Sequence, residues 1–186
     1  MSLSIFSLSF LGPYHPQIVH TPIVMLIFSA VFALVARLFD RDWLKRTSVI
    51  MLVFGFLGAF AAVESGETAE KIPKEKQGVS EHVIDEHADG GWRVVYLAGA
   101  ALVVMAIGSR LQGGAASALG ILALLLQLTA AVLVGVTGKR GGELVFAHGA
   151  GVRVDGQLVR SAHAGEKPAE PAAAGEHANG KDGVER

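Results

Sequence analysis

The apolar residues of this chain fall into four blocks set apart by charged stretches. The first covers 18–39 and is interrupted by His20, Thr21 and Arg37. The second covers 47–63, the third 92–109, and the fourth 117–137, which has no charge at all. A bilayer core asks for about 20 mostly apolar residues per helix. The third block is the weakest span, since its apolar run from Trp92 stops at Ile107. Asp40, Arg41, Asp42, Lys45 and Arg46 make a tight charged turn between the first two blocks, and another short turn occupies 109–116. Short connections place consecutive spans antiparallel, so the pattern predicts an all-α, polytopic four-transmembrane-helix bundle.

The flanking pattern refines this picture. Pro16 and Pro22 open the first span, where first-turn N–H groups lack intrahelical acceptors. The second span is expected to run on as polar helix through Glu64, Glu67 and Glu70 until Pro73 stops it, inside a charged loop over 64–91. Trp92 and Tyr96 are expected as aromatic anchors at the interface. Residues 1–15 form an apolar lead-in, 16–138 the membrane domain, 139–160 a post-span segment and 161–186 a tail. The lead-in has no basic residue in its first 12 positions, unlike a signal peptide. Asp155-Gly156 between Val154 and Leu158 is a two-residue hairpin signal. The tail, rich in Ala, Gly, Glu and Pro without periodicity, predicts disorder. Small residues form stripes: Gly55, Ala59, Ala62 and Gly66 in the second span, and Gly120, Ala131, Gly135 and Gly138 in and just beyond the fourth. Such stripes predict close helix packing, or room for a flat cofactor. Gln127 and Thr129 are expected to hydrogen-bond between helices.

Composition narrows the chemistry. The 186 residues carry a net charge of -1, which gives no preference for nucleic acid. There is no cysteine, so disulfides, iron–sulfur clusters, thiolate zinc sites and covalently attached haem are excluded. Four spans put both termini and the long middle stretch on one side. The two short turns on the other side hold Arg37, Arg41, Lys45, Arg46 and Arg110, a basic density that predicts a cytoplasmic face. The middle stretch is acidic, with Glu64, Glu67, Glu70, Glu75, Glu81, Asp85, Glu86 and Asp89.

Histidine is the candidate functional residue. His15, His20, His82, His87 and His148 all fall on the side of the termini, and His163 and His177 lie in the tail. Neutral imidazole binds transition metals and haem iron, and two imidazoles from different helices can clamp a haem from both faces. His20 is the best placed, in the first turn of a span, where an ionisable group needs a partner. His87 is the expected opposite ligand, on a short helix from Ser80 that leads back to the membrane. The plain alternative is a set of hydrogen-bonded interfacial side chains. Glu81, Asp85 and Glu86 could orient the nearby histidines or serve as hard ligands, or simply be solvated.

Two motifs carry a resemblance. The run His15-Pro16-Gln17-Ile18-Val19-His20-Thr21-Pro22-Ile23 resembles the opening motif of the DUF2231 family of bacterial membrane proteins, with Thr21 where the family usually has Phe. The run from Thr137-Gly138 through His148-Gly149 to Val152 resembles its closing motif. The similarity covers roughly 13–155. It implies the four-span architecture, and it implies association with haem or electron transfer. On this likeness His15 and His20 match the opening motif and His148 the closing one, while His82 and His87 match neither.

The resulting expectation is a multi-pass protein of the bacterial inner membrane with both termini periplasmic. It would be an electron-transfer or accessory subunit rather than a stand-alone enzyme. It would bind b-type haem through His15, His20, His87 and His148, beside a larger membrane redox complex or cytochrome partner. The alternatives are a divalent transition metal held by His20, His82, His87 and His148, or a cofactor-free assembly subunit.

Overall fold

The structure, a computed structural model, describes residues 9–161. Helix is the outcome nearly throughout. A 3-10 turn, Ser9–Tyr14, leads into a short helix α1 (His15–Ile18) and then α2 (His20–Phe39). The long helices α3 (Asp42–Ala69), α4 (Glu81–Gly108) and α5 (Gly113–Phe146) follow. Four of the helical stretches are long and apolar enough to cross a membrane: Phe10–Phe39, Asp42–Gln77, Glu81–Gly108 and Gly113–Phe146. The expected tail, and His163 and His177 within it, lies outside the described residues apart from Ser161.

Over the charged stretch 64–91 the helix expected to run on toward Pro73 and the helix expected from Ser80 are both present, and little of the stretch is loop. Most of it is helix: α3 runs to Ala69, Pro73–Gln77 forms a π turn, and α4 begins at Glu81. Hydropathy ends each span near the edge of the hydrocarbon, but backbone hydrogen bonding continues into water while neighbouring helices pack. Within this stretch Pro73, which lacks an N–H, opens the π turn, and helix breaks at 78–80, where Gly78 takes the left-handed conformation with φ 70°.

The helices form a closed square: α2 packs along α3, α3 along α4, α4 along α5, and α5 returns to α2. Leu26, Leu52, Ala59, Val94, Val95, Ala98, Ala101 and Val134 form the interior. Outward-facing residues are just as apolar, with Phe28, Phe54, Leu57, Leu125 and Val132 all exposed. In water that surface would be untenable, and in a bilayer it is the lipid contact.

Small residues let α2 and α3 close on each other. A Cβ on Gly55 would meet Leu26 Cδ2 at 2.6 Å. Ala59 and Ala62 of the same stripe are buried. The fourth-span stripe is mixed: a Cβ at Gly138 would meet Ile23 Cδ1 of α2 at 3.6 Å, but one at Gly120 or Gly135 would meet nothing within 4 Å. Gly120 and Gly135 face outward and pack no described helix of this chain.

Deep in the bundle the hydroxyls of Ser29 on α2 and Ser48 on α3 lie 2.9 Å from each other's main-chain carbonyls. The side-chain amide of Gln127 on α5 sits 2.9 Å from Ser29 Oγ and 3.1 Å from Ser48 Oγ. Its other end reaches Met105 Sδ on α4 at 3.6 Å. Gln127 therefore ties all four helices together, as its position suggested. Thr129 does not join: its hydroxyl donates to the Leu125 carbonyl of its own helix at 2.9 Å. An exposed helical threonine satisfies itself locally when no partner helix is opposite.

At the end of the bundle that carries the described termini, a cap covers the α3–α4 connection. Two strands, Arg153–Val154 and Gln157–Leu158, pair antiparallel. Asp155 and Gly156 between them have φ 50° and 78°, as a tight two-residue turn demands. Gln77, 1% exposed, anchors this cap. Its amide donates to the carbonyls of Gly149 at 2.7 Å and Val159 at 2.6 Å, and its Oε1 accepts the Gly151 N–H at 2.7 Å. At the opposite end Lys45 binds Asp40 at 2.7 Å and Asp42 at 3.1 Å, and its ammonium holds the Asp40 carboxyl below the usual carboxylate range.

Candidate functional site

Four elements converge at the capped end: α1, the last turns of α3, the first turns of α4 and the last turns of α5. His15 starts α1, and packing of the preceding 3-10 turn on α3 fixes where it sits, with Gly12 against Thr68. His87 lies in the second turn of α4, one helical turn before Gly90. The two rings meet across the bundle with centres 6.3 Å apart and planes at 86°.

Each ring rests on a glycine. A Cβ on Gly66 would stand 3.1 Å from His15 Cε1, and one on Gly141 would stand 2.9 Å from His87 Cε1. The floor beneath each imidazole is thus bare backbone, and a side chain at either position would push the ring away. Gly90 performs a related service: Thr137 Oγ1 would lie 2.6 Å from its Cβ, so α4 and α5 approach closely at this level. That hydroxyl is buried and makes no hydrogen bond to another described residue.

Hydrogen bonding fixes the proton on both rings. His15 Nδ1 lies 3.0 Å from Ser65 Oγ, and the Ser65 hydroxyl donates to the Ala62 carbonyl at 2.9 Å. With its proton engaged there, Ser65 accepts from His15, so His15 carries its N–H at Nδ1. His87 Nδ1 lies 3.1 Å from the Thr137 carbonyl, which can only accept. His87 therefore donates from Nδ1 as well. In the neutral form both imidazoles present a bare Nε2 lone pair. This is the tautomer of an Nε2 metal ligand whose other nitrogen is oriented by an acceptor.

The remaining predicted histidines do not join the pair. His20 opens α2 as expected, but its side chain is exposed on the outside of the bundle. His82 is exposed and faces Glu86 at 3.9 Å. His148 lies beyond α5, half-buried where the cap begins. Among the described residues no three His, Asp or Glu side chains converge as a metal site. The carboxylates near the loop histidines are otherwise occupied or exposed: Asp85 binds Lys74 at 3.0 Å, and Glu81 is exposed. Sequence reasoning missed Ser65 and the Thr137 carbonyl as orienting groups. Gly66 stood out only as a small residue, and Gly141 only within the closing motif.

A search of curated proteins and a search of solved structures each returned no match. A family model does match, over residues 12–154. That stretch holds all four membrane helices, His15, His87 and both of their glycine floors. The chain therefore belongs to the DUF2231 family of predicted membrane proteins.

Proposed function

We propose that this protein is an electron-transfer subunit of the bacterial inner membrane that holds b-type haem between His15 and His87. The observation that carries this reading is the pair of facing imidazoles, each with its proton committed at Nδ1 and its Nε2 lone pair free. Two imidazoles that share one metal through Nε2, each bond about 2 Å long, hold their ring centres roughly 6 Å apart. The ring centres here are 6.3 Å apart and the planes nearly perpendicular. The donor set also favours haem over a bare divalent ion. A porphyrin supplies four equatorial nitrogens, so two protein imidazoles complete the coordination, whereas a bare ion asks for three or four protein ligands.

Haem, when bound, supplies reversible one-electron chemistry. The protein's share is orientation and environment. Ser65 and the Thr137 carbonyl hold the rings and raise their basicity as ligands. Gly66 and Gly141 leave the rings room. The apolar bundle below the pair sets a low dielectric, and burial of this kind tunes a redox potential. If His15 and His87 both held the haem iron, no position would stay open for a substrate, which suits electron transfer rather than turnover. The basic short turns support a cytoplasmic assignment for that face, so the histidine pair and both termini face the periplasm, toward a cytochrome or a larger redox complex.

The deciding measurement is the absorbance spectrum of gently purified protein supplied with haem, oxidised and then reduced with dithionite. A Soret band with sharp reduced α and β bands is the expected result. A folded protein that stays colourless overturns the haem assignment, and elemental analysis then decides between a non-haem metal and a cofactor-free subunit.

A further inference from the structure

The short-turn end of the bundle has a charge imbalance that the proposed redox site does not use. Five basic residues stand there: Arg37, Arg41, Lys45, Arg46 and Arg110. The two carboxylates of the α2–α3 turn, Asp40 and Asp42, are both taken by Lys45. Among the described residues the four arginines form no ion pair and no side-chain hydrogen bond. At the opposite end Lys74, Arg93 and Lys139 each hold a carboxylate, and the eight carboxylates over 64–91 offset the cations that make no ion pair there.

The depth of these arginines follows from their neighbours. Leu38, Phe39 and Trp43 bracket the turn and are 70%, 66% and 64% exposed. Large apolar side chains that face away from the bundle hold the turn down in the membrane, and tryptophan prefers the headgroup level. Guanidinium groups at that depth stand among lipid phosphates, which they bind through paired N–H donors.

We infer that the short-turn end is a binding surface for anionic phospholipid headgroups, formed by Arg37, Arg41, Arg46 and Arg110. It recruits acidic lipid to one leaflet and fixes the depth of the bundle there. The surface is independent of haem, so failure of either reading leaves the other standing.

The test is lipid selectivity of the full chain in phosphatidylcholine vesicles carrying spin-labelled phosphatidylglycerol or spin-labelled phosphatidylcholine. The motionally restricted fraction should favour phosphatidylglycerol by about fivefold or more, the factor that one basic residue contributes near an anionic surface. Combined Arg37→Gln, Arg41→Gln, Arg46→Gln and Arg110→Gln should bring the two lipids level, while Lys139→Gln with Arg153→Gln should leave the preference intact. Should the fourfold variant fail to fold, Arg41→Gln and Arg110→Gln singly, and wild type in 1 M salt with its roughly 3 Å screening length, should each weaken it. Excess inorganic phosphate should not displace the lipid. Equal restriction of both lipids in wild type, a preference that survives loss of the arginines, or full displacement by phosphate each overturns the inference.

Discussion

His15 and His87 come from the first and third membrane helices and meet with ring centres 6.3 Å apart, each donating its Nδ1 proton away from the other. Under the proposed reading this spacing, with each Nε2 left without a hydrogen-bond partner among the described residues, sets these two histidines apart from the rest.

The separation is testable by substitution. His15→Ala or His87→Ala should each abolish a bis-histidine haem spectrum or convert it to a five-coordinate form. His20→Ala and His82→Ala should leave the band positions unchanged, because both side chains stand exposed, away from the pair. Loss of the spectrum in His20→Ala, with His15→Ala unaffected, would reverse the ligand assignment.

Ser65 acts only through His15. Ser65→Ala removes the side-chain acceptor beside His15 Nδ1 and leaves only the Ala62 carbonyl to orient that N–H. The haem-bound variant should still show bis-histidine bands, with a shifted midpoint potential and roughly 10–100-fold weaker retention of the group, as is usual when a ligand's orienting partner is removed. Redox titration and haem-transfer kinetics read both effects.

The glycines divide into two groups with opposite expected signs. Gly141→Ala places a Cβ 2.9 Å from His87 Cε1, and Gly55→Ala places one 2.6 Å from Leu26 Cδ2. Overpacking of that kind costs about 1–3 kcal/mol. Gly120→Ala and Gly135→Ala enter open space on helical backbone and should be neutral or stabilise by up to about 1 kcal/mol. Unfolding in detergent, followed by circular dichroism, ranks the four.

Gln77→Ala should release the cap without unfolding the bundle. The change strands the carbonyls of Gly149 and Val159 and the N–H of Gly151. Each polar group left unpaired at a buried site costs about 1–3 kcal/mol. Brief trypsin treatment should then cut after Arg153 and Arg160 in the variant well before it does so in wild type, at unchanged helix content.

Gln127→Leu probes the link among the four helices. It removes the amide shared by Ser29, Ser48 and Met105. Bonds of this kind inside membranes average about 0.6 kcal/mol, so a loss near 1 kcal/mol in the same unfolding measurement is expected. Thr129→Val should show almost none, because that hydroxyl bonds only within its own helix.

Much of this architecture is written locally. Apolar runs, charged turns and the Asp155-Gly156 pair each act over a few residues, so the four spans and the hairpin are legible in the linear chain. The stretch over 64–91 is legible in part: the helices toward Pro73 and from Ser80 are, whereas the π turn at Pro73–Gln77 and the unbroken run of α4 from Glu81 into its span are not, because hydropathy reports where hydrocarbon ends and not where helix ends. Gly120 and Gly135 of the fourth-span stripe mislead for a related reason, since small residues permit close packing but do not say which neighbour is present; Gly138 of the same stripe does meet Ile23.

Four membrane crossings, and five histidines gathered on one side, follow from the order of residues along the chain. That His15 and His87 meet while His20 and His82 stand exposed follows only from the packed fold. The reason is physical. Whether two imidazoles can approach depends on the absence of side chains at Gly66 and Gly141, and on acceptors at Ser65 and Thr137. Those positions lie some fifty residues from the rings they serve, and only the packing of four helices brings them there.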